Sequence, residues 1–197
     1  RFFADMLDAS SDFEYTLHDI IRMTIKNHKR IIFNGNGYDD AWIKEATEER
    51  GLLNYRTTPD CMPHLMDTKN IEMLTRQGVY SEAELKSRCE IMLENYNRTV
   101  IIEGNTMVGM AKIHISPAIE KYTADLAGNG AAKKALDPDL SCIYETNIIK
   151  KLSGLLDIIS VKTADLEKAV HEAEEIGDVI ARSEYIRDNV IILQRTQ

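Results

Sequence analysis

A mainly α fold, with short helices followed by a long antiparallel helical hairpin of coiled-coil-like character, is predicted by three observations. A capping box at Ser81-Glu82-Ala83-Glu84 opens a stretch with no proline before Pro117. Within that stretch an apolar stripe returns every three to four residues, the period of one helix face. A second stripe, from Ile149 to Ile180, alternates steps of three and four as a heptad seam does.

The elements follow in order from the N-terminus. Phe13, Leu17, Ile20, Ile21 and Ile25 share one face of a helix running from Asp12 to about His28. The basic cluster Lys26-Asn27-His28-Lys29-Arg30 complements the negative C-terminal end of that helix, a commoner role for so short a cluster than polyanion binding. Next comes "IIFNGNGYDDAW", Ile31 to Trp42: a short apolar run, a glycine turn and the start of a helix. Gly35 and Gly37 fit a dinucleotide-binding fingerprint, but its third small residue is here Asp40, a carboxylate that would repel the phosphate. The apolar run before it, Ile31 to Phe33, is also short for a strand. A structural turn is therefore expected, with Asn34 to Gly37 reversing the chain through positive φ and Asp39 or Asp40 capping the next helix. That helix should end at Gly51. Thr58-Pro59 reads as a cap followed by proline at the first helical position, and a further helix should run from about Thr68 until Gly78 stops it.

The long elements begin after Val79. One stripe comprises Leu85, Cys89, Met92, Tyr96, Val100, Gly104, Met107, Ala111, Ile115, Ala118 and Tyr122, and Pro117 is a candidate kink. Gly104 and Gly109 lie mid-helix, where each is worth roughly 1 kcal/mol less than Ala, so they mark either close packing or a break. Gly128-Asn129-Gly130, followed by Asp137-Pro138-Asp139, reads as the reversal. The returning helix carries Ile149, Leu152, Leu156, Ile159, Thr163, Leu166, Val170, Ala173, Gly177 and Ile180. Two long helices, each with an apolar stripe, must cover one another, which makes an antiparallel hairpin. Leu155 and Ile158 are offset from the seam, so some apolar surface should remain for other elements or another subunit.

Composition limits the function. The 197 residues suffice for a core in one domain or two small ones, and 44% hydrophobic content is that of a globular chain. A net charge of −8 with pI near 5.2 argues against nucleic acid or an anionic membrane as partner, since both require clustered positive charge. Cys61, Cys89 and Cys142 are odd in number and far apart, without C-x-x-C; this points to no disulfide framework or zinc knuckle and to a reducing, cytoplasmic setting. No apolar run approaches membrane-spanning length, and there is no signal-peptide layout. The sequon Asn97-Arg98-Thr99 falls within a helical pattern and reads as chance. The chain begins at Arg1 without Met, inside a periodic segment, and is expected to be part of a longer protein.

Catalytic patterns are missing. His18, His28, His64, His114 and His171 form no H-x-H and no H-E-x-x-H. Glu167, His171 and Glu175 share a helix face that a metal could use, although charges at this spacing are ordinary on solvated helices. Ser141 and Cys142 lack a nearby base, and Met107 and Met110 at helical spacing are core filler.

Four linked stretches supply a context: "HKRIIFNGNGYDDAW" (His28 to Trp42), "RGLLN" (Arg50 to Asn54), "TTPDCMPHL" (Thr57 to Leu65) and "YSEAELKSRCEIMLENY" (Tyr80 to Tyr96). In order and spacing they resemble the C-terminal third of type III glutamine synthetases. The resemblance is strong from about Asp12 to Tyr122 and looser beyond, where the long-helix pattern and "ARSEYIRDNVI" (Ala181 to Ile191) are similar to the family.

The resemblance implies a parent enzyme that joins ammonia to glutamate through a γ-glutamyl phosphate, using ATP and divalent metal ions, Mg2+ or Mn2+. In that family the metal-binding carboxylates, the histidine near the metals and the phosphate-binding arginines precede the segment matched here. None has a counterpart motif in this chain, so no catalytic, cofactor-binding or metal-ligating residue is assigned. The resemblance further implies that residues 1–78 are the helical end of the catalytic domain and 79–197 a family-specific helical extension. The implied partners are the remainder of the same polypeptide and identical subunits, since family members form rings stacked in pairs. Family members also continue past the equivalent of Gln197 into an aromatic, proline-containing tail, so a longer natural chain is expected at that end too. The resulting function is scaffold and subunit contact in a glutamine synthetase. The alternative is a free-standing helical interaction module, which the Ile149–Ile180 seam would serve equally well.

Overall fold

Capping side chains set most helix starts in the computed structural model, which describes residues 1–32 and 34–195. Phe33, the last of the short apolar run, and Gln197 lie outside the described residues. The fold is mainly α, and no strand occurs among the described residues. Packing divides the chain into two units, residues 1–54 and 55–197.

The first unit contains α1 (Phe2–Asp8), α2 (Phe13–His28) and α3 (Asp40–Lys44), the last continued by a π-turn at Glu45–Glu49. Asp12 Oδ1 accepts the Tyr15 N–H at 3.0 Å and Asp39 Oδ1 the Ala41 N–H at 3.0 Å, so both expected caps form. Of the α2 apolar face only Ile20 is buried, while Phe13, Ile21 and Ile25 are exposed. At the chain reversal, Asn36 Oδ1 accepts the Tyr38 N–H at 3.1 Å, and the Asn36 carbonyl accepts the Asp39 N–H at 3.3 Å. Gly37 does not have the positive φ expected of it, and a Cβ there would meet open space. The side-chain turn at Asn36 does the bending instead. Left-handed backbone occurs at Gly51, φ 65°, which ends the helix as the sequence requires.

The second unit opens with α4 (Thr58–Cys61), continued by a 3-10 turn at Met62–Met66, and α5 (Thr68–Arg76). The cap is Thr57 rather than Thr58: its hydroxyl accepts the Asp60 N–H at 3.3 Å, which moves Pro59 to the second position, inside the helix's first turn. Gly78, φ 67°, follows α5 as expected. The capping box at Ser81 forms in both directions: the Glu84 carboxylate accepts the Ser81 N–H at 2.8 Å and the Ser81 hydroxyl accepts the Glu84 N–H at 3.3 Å.

From there α6 (Glu82–Met110), a π-turn (Ala111–Ile115) and α7 (Ser116–Leu136) form one helix of 55 residues, about 80 Å at 1.5 Å each. The helix runs through Pro117. The proline has no N–H and would crowd the carbonyl four residues back, and the wide turn just before it relieves this conflict. Of the expected reversal only the second part forms: Gly128-Asn129-Gly130 are helical, and the chain turns at residues 137–141, where Asp137-Pro138-Asp139 lie. A Cβ on Gly130 would meet Cys142 Sγ and Glu145 Cβ at 4.0 Å, an ordinary contact, and one on Gly128 would meet nothing within 4 Å, so neither glycine is required by packing. The turn is closed by Asp137 Oδ1 accepting the Asp139 N–H at 2.9 Å and by Lys134 Nζ donating to the Pro138 carbonyl at 2.6 Å.

The returning helix α8 (Ile143–Glu175) packs antiparallel against α6 and α7. Its seam holds from Ile149 to Ala173. Gly177 and Ile180 fall outside it, because α8 ends at Glu175 and Asp178 caps a new helix, accepting the Ala181 N–H at 2.8 Å. That helix, α9 (Val179–Tyr185), continues through a π-turn (Ile186–Val190) into α10 (Ile191–Arg195). The hairpin is thus completed as a three-helix bundle at one end. Its core joins Val100 and Val108 to Leu166, Ala169, Val170 and Ala173 and to Ile186 and Val190. On the long helix the buried set includes Leu93 and Val108 where Met92 and Met107 were expected, a shift of one residue toward the third helix. Gly104 marks close packing, since a Cβ there would lie 2.7 Å from Val170 Cγ2.

Candidate functional site

In the first unit, Arg50 organises the region that looked like a phosphate loop. Its Nε donates to Glu45 Oε1 at 2.8 Å, and its Nη1 donates to the carbonyls of Arg30 at 2.9 Å and Ile32 at 3.2 Å. The guanidinium also lies 4.8 Å from the Trp42 ring centroid. One side chain therefore pins the segment after α2 to α3. The arginine of "RGLLN" has a structural reason that no spacing in the sequence announces.

In the second unit, Arg187 makes the corresponding tie. Its Nη1 donates to Asp60 Oδ1 at 2.5 Å, joining the start of α4 to the π-turn after α9, and its Nε and Nη2 take both oxygens of Asp188 at 2.7 and 2.9 Å. Asp60 also accepts the Thr57 hydroxyl at 2.5 Å. That bond, and then Arg187, hold the Asp60 carboxyl below the usual carboxylate range, and Arg187 does the same for Asp188. Nearby, burial pushes the Tyr96 phenol up. Cys89 is buried, which raises its thiol pKa, and its Sγ donates to the Met62 carbonyl at 3.4 Å.

The candidate metal face does not assemble. Glu167 is bound across the hairpin by Lys112 Nζ, at 2.7 and 2.6 Å to its two oxygens, and His171 pairs loosely with Glu175 at 3.6 Å in solvent. Among the described residues no group of three His, Cys, Asp or Glu could hold a metal ion. Cys61 is exposed and Cys142 half-buried, and both are free thiols, as is Cys89. Asn97 is 2% exposed and its Nδ2 donates to the Val179 carbonyl at 3.1 Å, so the sequon is closed to modification in the folded chain. Among the described residues no helix is long and apolar enough to cross a membrane.

The bundle leaves a different kind of surface open. On α8, Leu155, Ile158 and Val161 lie beside the seam and remain 43%, 57% and 61% exposed. Ile143 and Tyr144 extend the exposed apolar surface to the start of the same helix.

These features define a mainly helical domain with apolar side chains left exposed beside its core. A family model described as the glutamine synthetase C-terminal domain matches residues 16–134, and the chain belongs to that family. It is 32% identical over 173 residues to a glutamine synthetase of Butyrivibrio fibrisolvens, covering 88% of this chain and 25% of that protein. It is also 35% identical over 108 residues to the type-3 glutamine synthetase of Dictyostelium discoideum, covering 55% of this chain and 15% of that one. A glutamine synthetase of Bacteroides fragilis is 29% identical over 154 residues, or 76% of this chain and 21% of its own length. The chain thus spans a quarter or less of the length of these relatives.

Proposed function

We propose that this chain is the C-terminal part of a glutamine synthetase and acts there as scaffold and subunit contact. The parent reaction would use ATP and Mg2+ or Mn2+ to make γ-glutamyl phosphate from glutamate, and ammonia would displace the phosphate to give glutamine. Residues 1–78 would close the catalytic domain, and 79–197 would form the extension. The partners are the rest of the polypeptide and identical subunits in the cytoplasm.

The observation that carries the assembly role is the exposed apolar row Leu155, Ile158 and Val161, a row that water disfavours and a neighbouring subunit would cover. The family match over residues 16–134 favours this reading over a free-standing interaction module. Light scattering with circular dichroism tests it. The chain should self-associate, and Ile158→Asp should lower its mass with unchanged helicity. A chain that stays monomeric at high concentration, with or without the substitution, would refute the contact role.

A further inference from the structure

The open face of α8 has a symmetry of its own. At about 100° per residue, the residues of the stretch 151–165 that lie within about 60° of Ile158 are Lys151, Gly154, Leu155, Val161, Lys162 and Asp165. They are placed evenly about that isoleucine: Leu155 and Val161 three residues to either side, Gly154 and Lys162 four, Lys151 and Asp165 seven. All but the half-buried Lys162 are exposed.

In an antiparallel pair of identical helices related by a two-fold axis at Ile158, each residue meets the one equally far on the other side of the axis. Ile158 then meets its own counterpart, and Leu155 meets Val161 twice, which covers the whole apolar row. Lys151 of each copy comes opposite Asp165 of the other. Neither residue has an ion-pair partner among the described residues, although Lys112 with Glu167 and Lys168 with Glu172 form pairs on the same helix or across to it. Gly154 comes opposite Lys162; a Cβ on the glycine would meet nothing within 4 Å, so there is room for the aliphatic stem of the lysine. A parallel pair in register would instead set Lys151 against Lys151 and Asp165 against Asp165, which like charge opposes.

We propose that this face binds a second copy of the chain, α8 against α8 and antiparallel, with the two-fold axis at Ile158. The proposal rests on the subunit-contact reading above and supplies its partner and register. One turn beyond Asp165 the same face is no longer free, because Ala169 lies in the bundle core. The two helices must therefore cross rather than run side by side, and the contact is confined to about 21 Å of helix, the length of 151–165. So short a contact makes self-association of the isolated chain weak and dependent on concentration.

The test is sedimentation equilibrium of the 197-residue chain over a range of concentrations, with circular dichroism to confirm that each variant is folded. Lys151→Glu and Asp165→Lys alter exposed side chains, and each should weaken self-association about tenfold, since two ion pairs are lost at once and two like-charge oppositions replace them. Mixed in equal amounts, the two single variants should associate with each other about as well as the unaltered chain does with itself, because every charge then faces its opposite. The double variant Lys151→Glu with Asp165→Lys should recover self-association for the same reason. Self-association that falls with Ile158→Asp but ignores both charge variants would overturn the antiparallel register and leave the contact role standing. Loss in the single variants without recovery in the mixture would overturn it too. A chain that stays monomeric throughout would overturn both the register and the contact role.

Discussion

Gly104→Ala should destabilise the bundle although it improves the intrinsic helix propensity of the site. The added Cβ would lie 2.7 Å from Val170 Cγ2, 3.3 Å from Gln194 Nε2 and 3.7 Å from Val190 Cγ1. Carbon atoms settle at roughly 3.5–4.0 Å, so the first contact is about 1 Å too short. The glutamine can swing away, but Val170 cannot readily do so, because it is buried and β-branched, with one preferred rotamer in a helix. Overpacking of this kind costs about 1–3 kcal/mol, against a propensity gain of about 1 kcal/mol. The net is a destabilisation of up to about 2 kcal/mol, or several degrees in melting temperature for a chain of this size. Gly109→Ala is the internal control, because a Cβ there meets nothing within 4 Å, so it should stabilise by up to about 1 kcal/mol. Urea denaturation of both variants isolates the contact, since they share one helix and one propensity change. In the double variant Gly104→Ala with Val170→Ala the two effects should be less than additive, as each relieves the other's misfit. Equal stability changes at the two glycines would refute the close-packing account.

Three further outcomes follow from particular groups. Tyr185 donates to Glu172 Oε2 at 2.5 Å, and this bond pushes its phenol up from an ordinary value of 10.0 to about 12. The folded pKa is raised, so the stabilisation is complete below pH 10 and is lost as pH rises toward 12; the stability advantage over Tyr185→Phe, measured by denaturation, should shrink across that window. Asp60 and Asp188 are shifted the other way, so their contribution is present above about pH 4 and is lost as pH falls through their lowered folded values; Arg187→Gln should flatten that acid dependence. The purified chain should show no γ-glutamyl transfer above a heat-killed control, and ATP should leave its melting temperature unchanged, since Arg50 already occupies the carbonyls beside the Asn34–Gly37 turn.

Local chemistry was legible in the sequence wherever a single interaction decides the outcome within a few residues. Asp12, Asp39 and Ser81 cap their helices because the acceptor and the unpaired N–H groups lie within one turn of chain, and Gly51 and Gly78 end theirs because only glycine takes that backbone readily. The errors arose where tertiary packing overrides local preference. Gly128-Asn129-Gly130 has the composition of a turn, yet it stays helical within α7, which packs along α8. Gly37 has turn composition without left-handed backbone, because Asn36 supplies the bend. The third helix was hidden for a related reason. The spacing of Gly177 and Ile180 continues the α8 seam in register, but Asp178 offers a cap, and Arg182 holds the Ile176 carbonyl that the interrupted helix frees. Once that break is made, Ile186 and Val190 fold back onto Val170 and Val100, and burying them stabilises the chain more than a longer α8 leaving them in water would. The same break brings the Val179 carbonyl to the buried Asn97, whose Nδ2 donates to it at 3.1 Å, so that bond and the bundle's third helix have one origin: an aspartate at the end of a heptad seam.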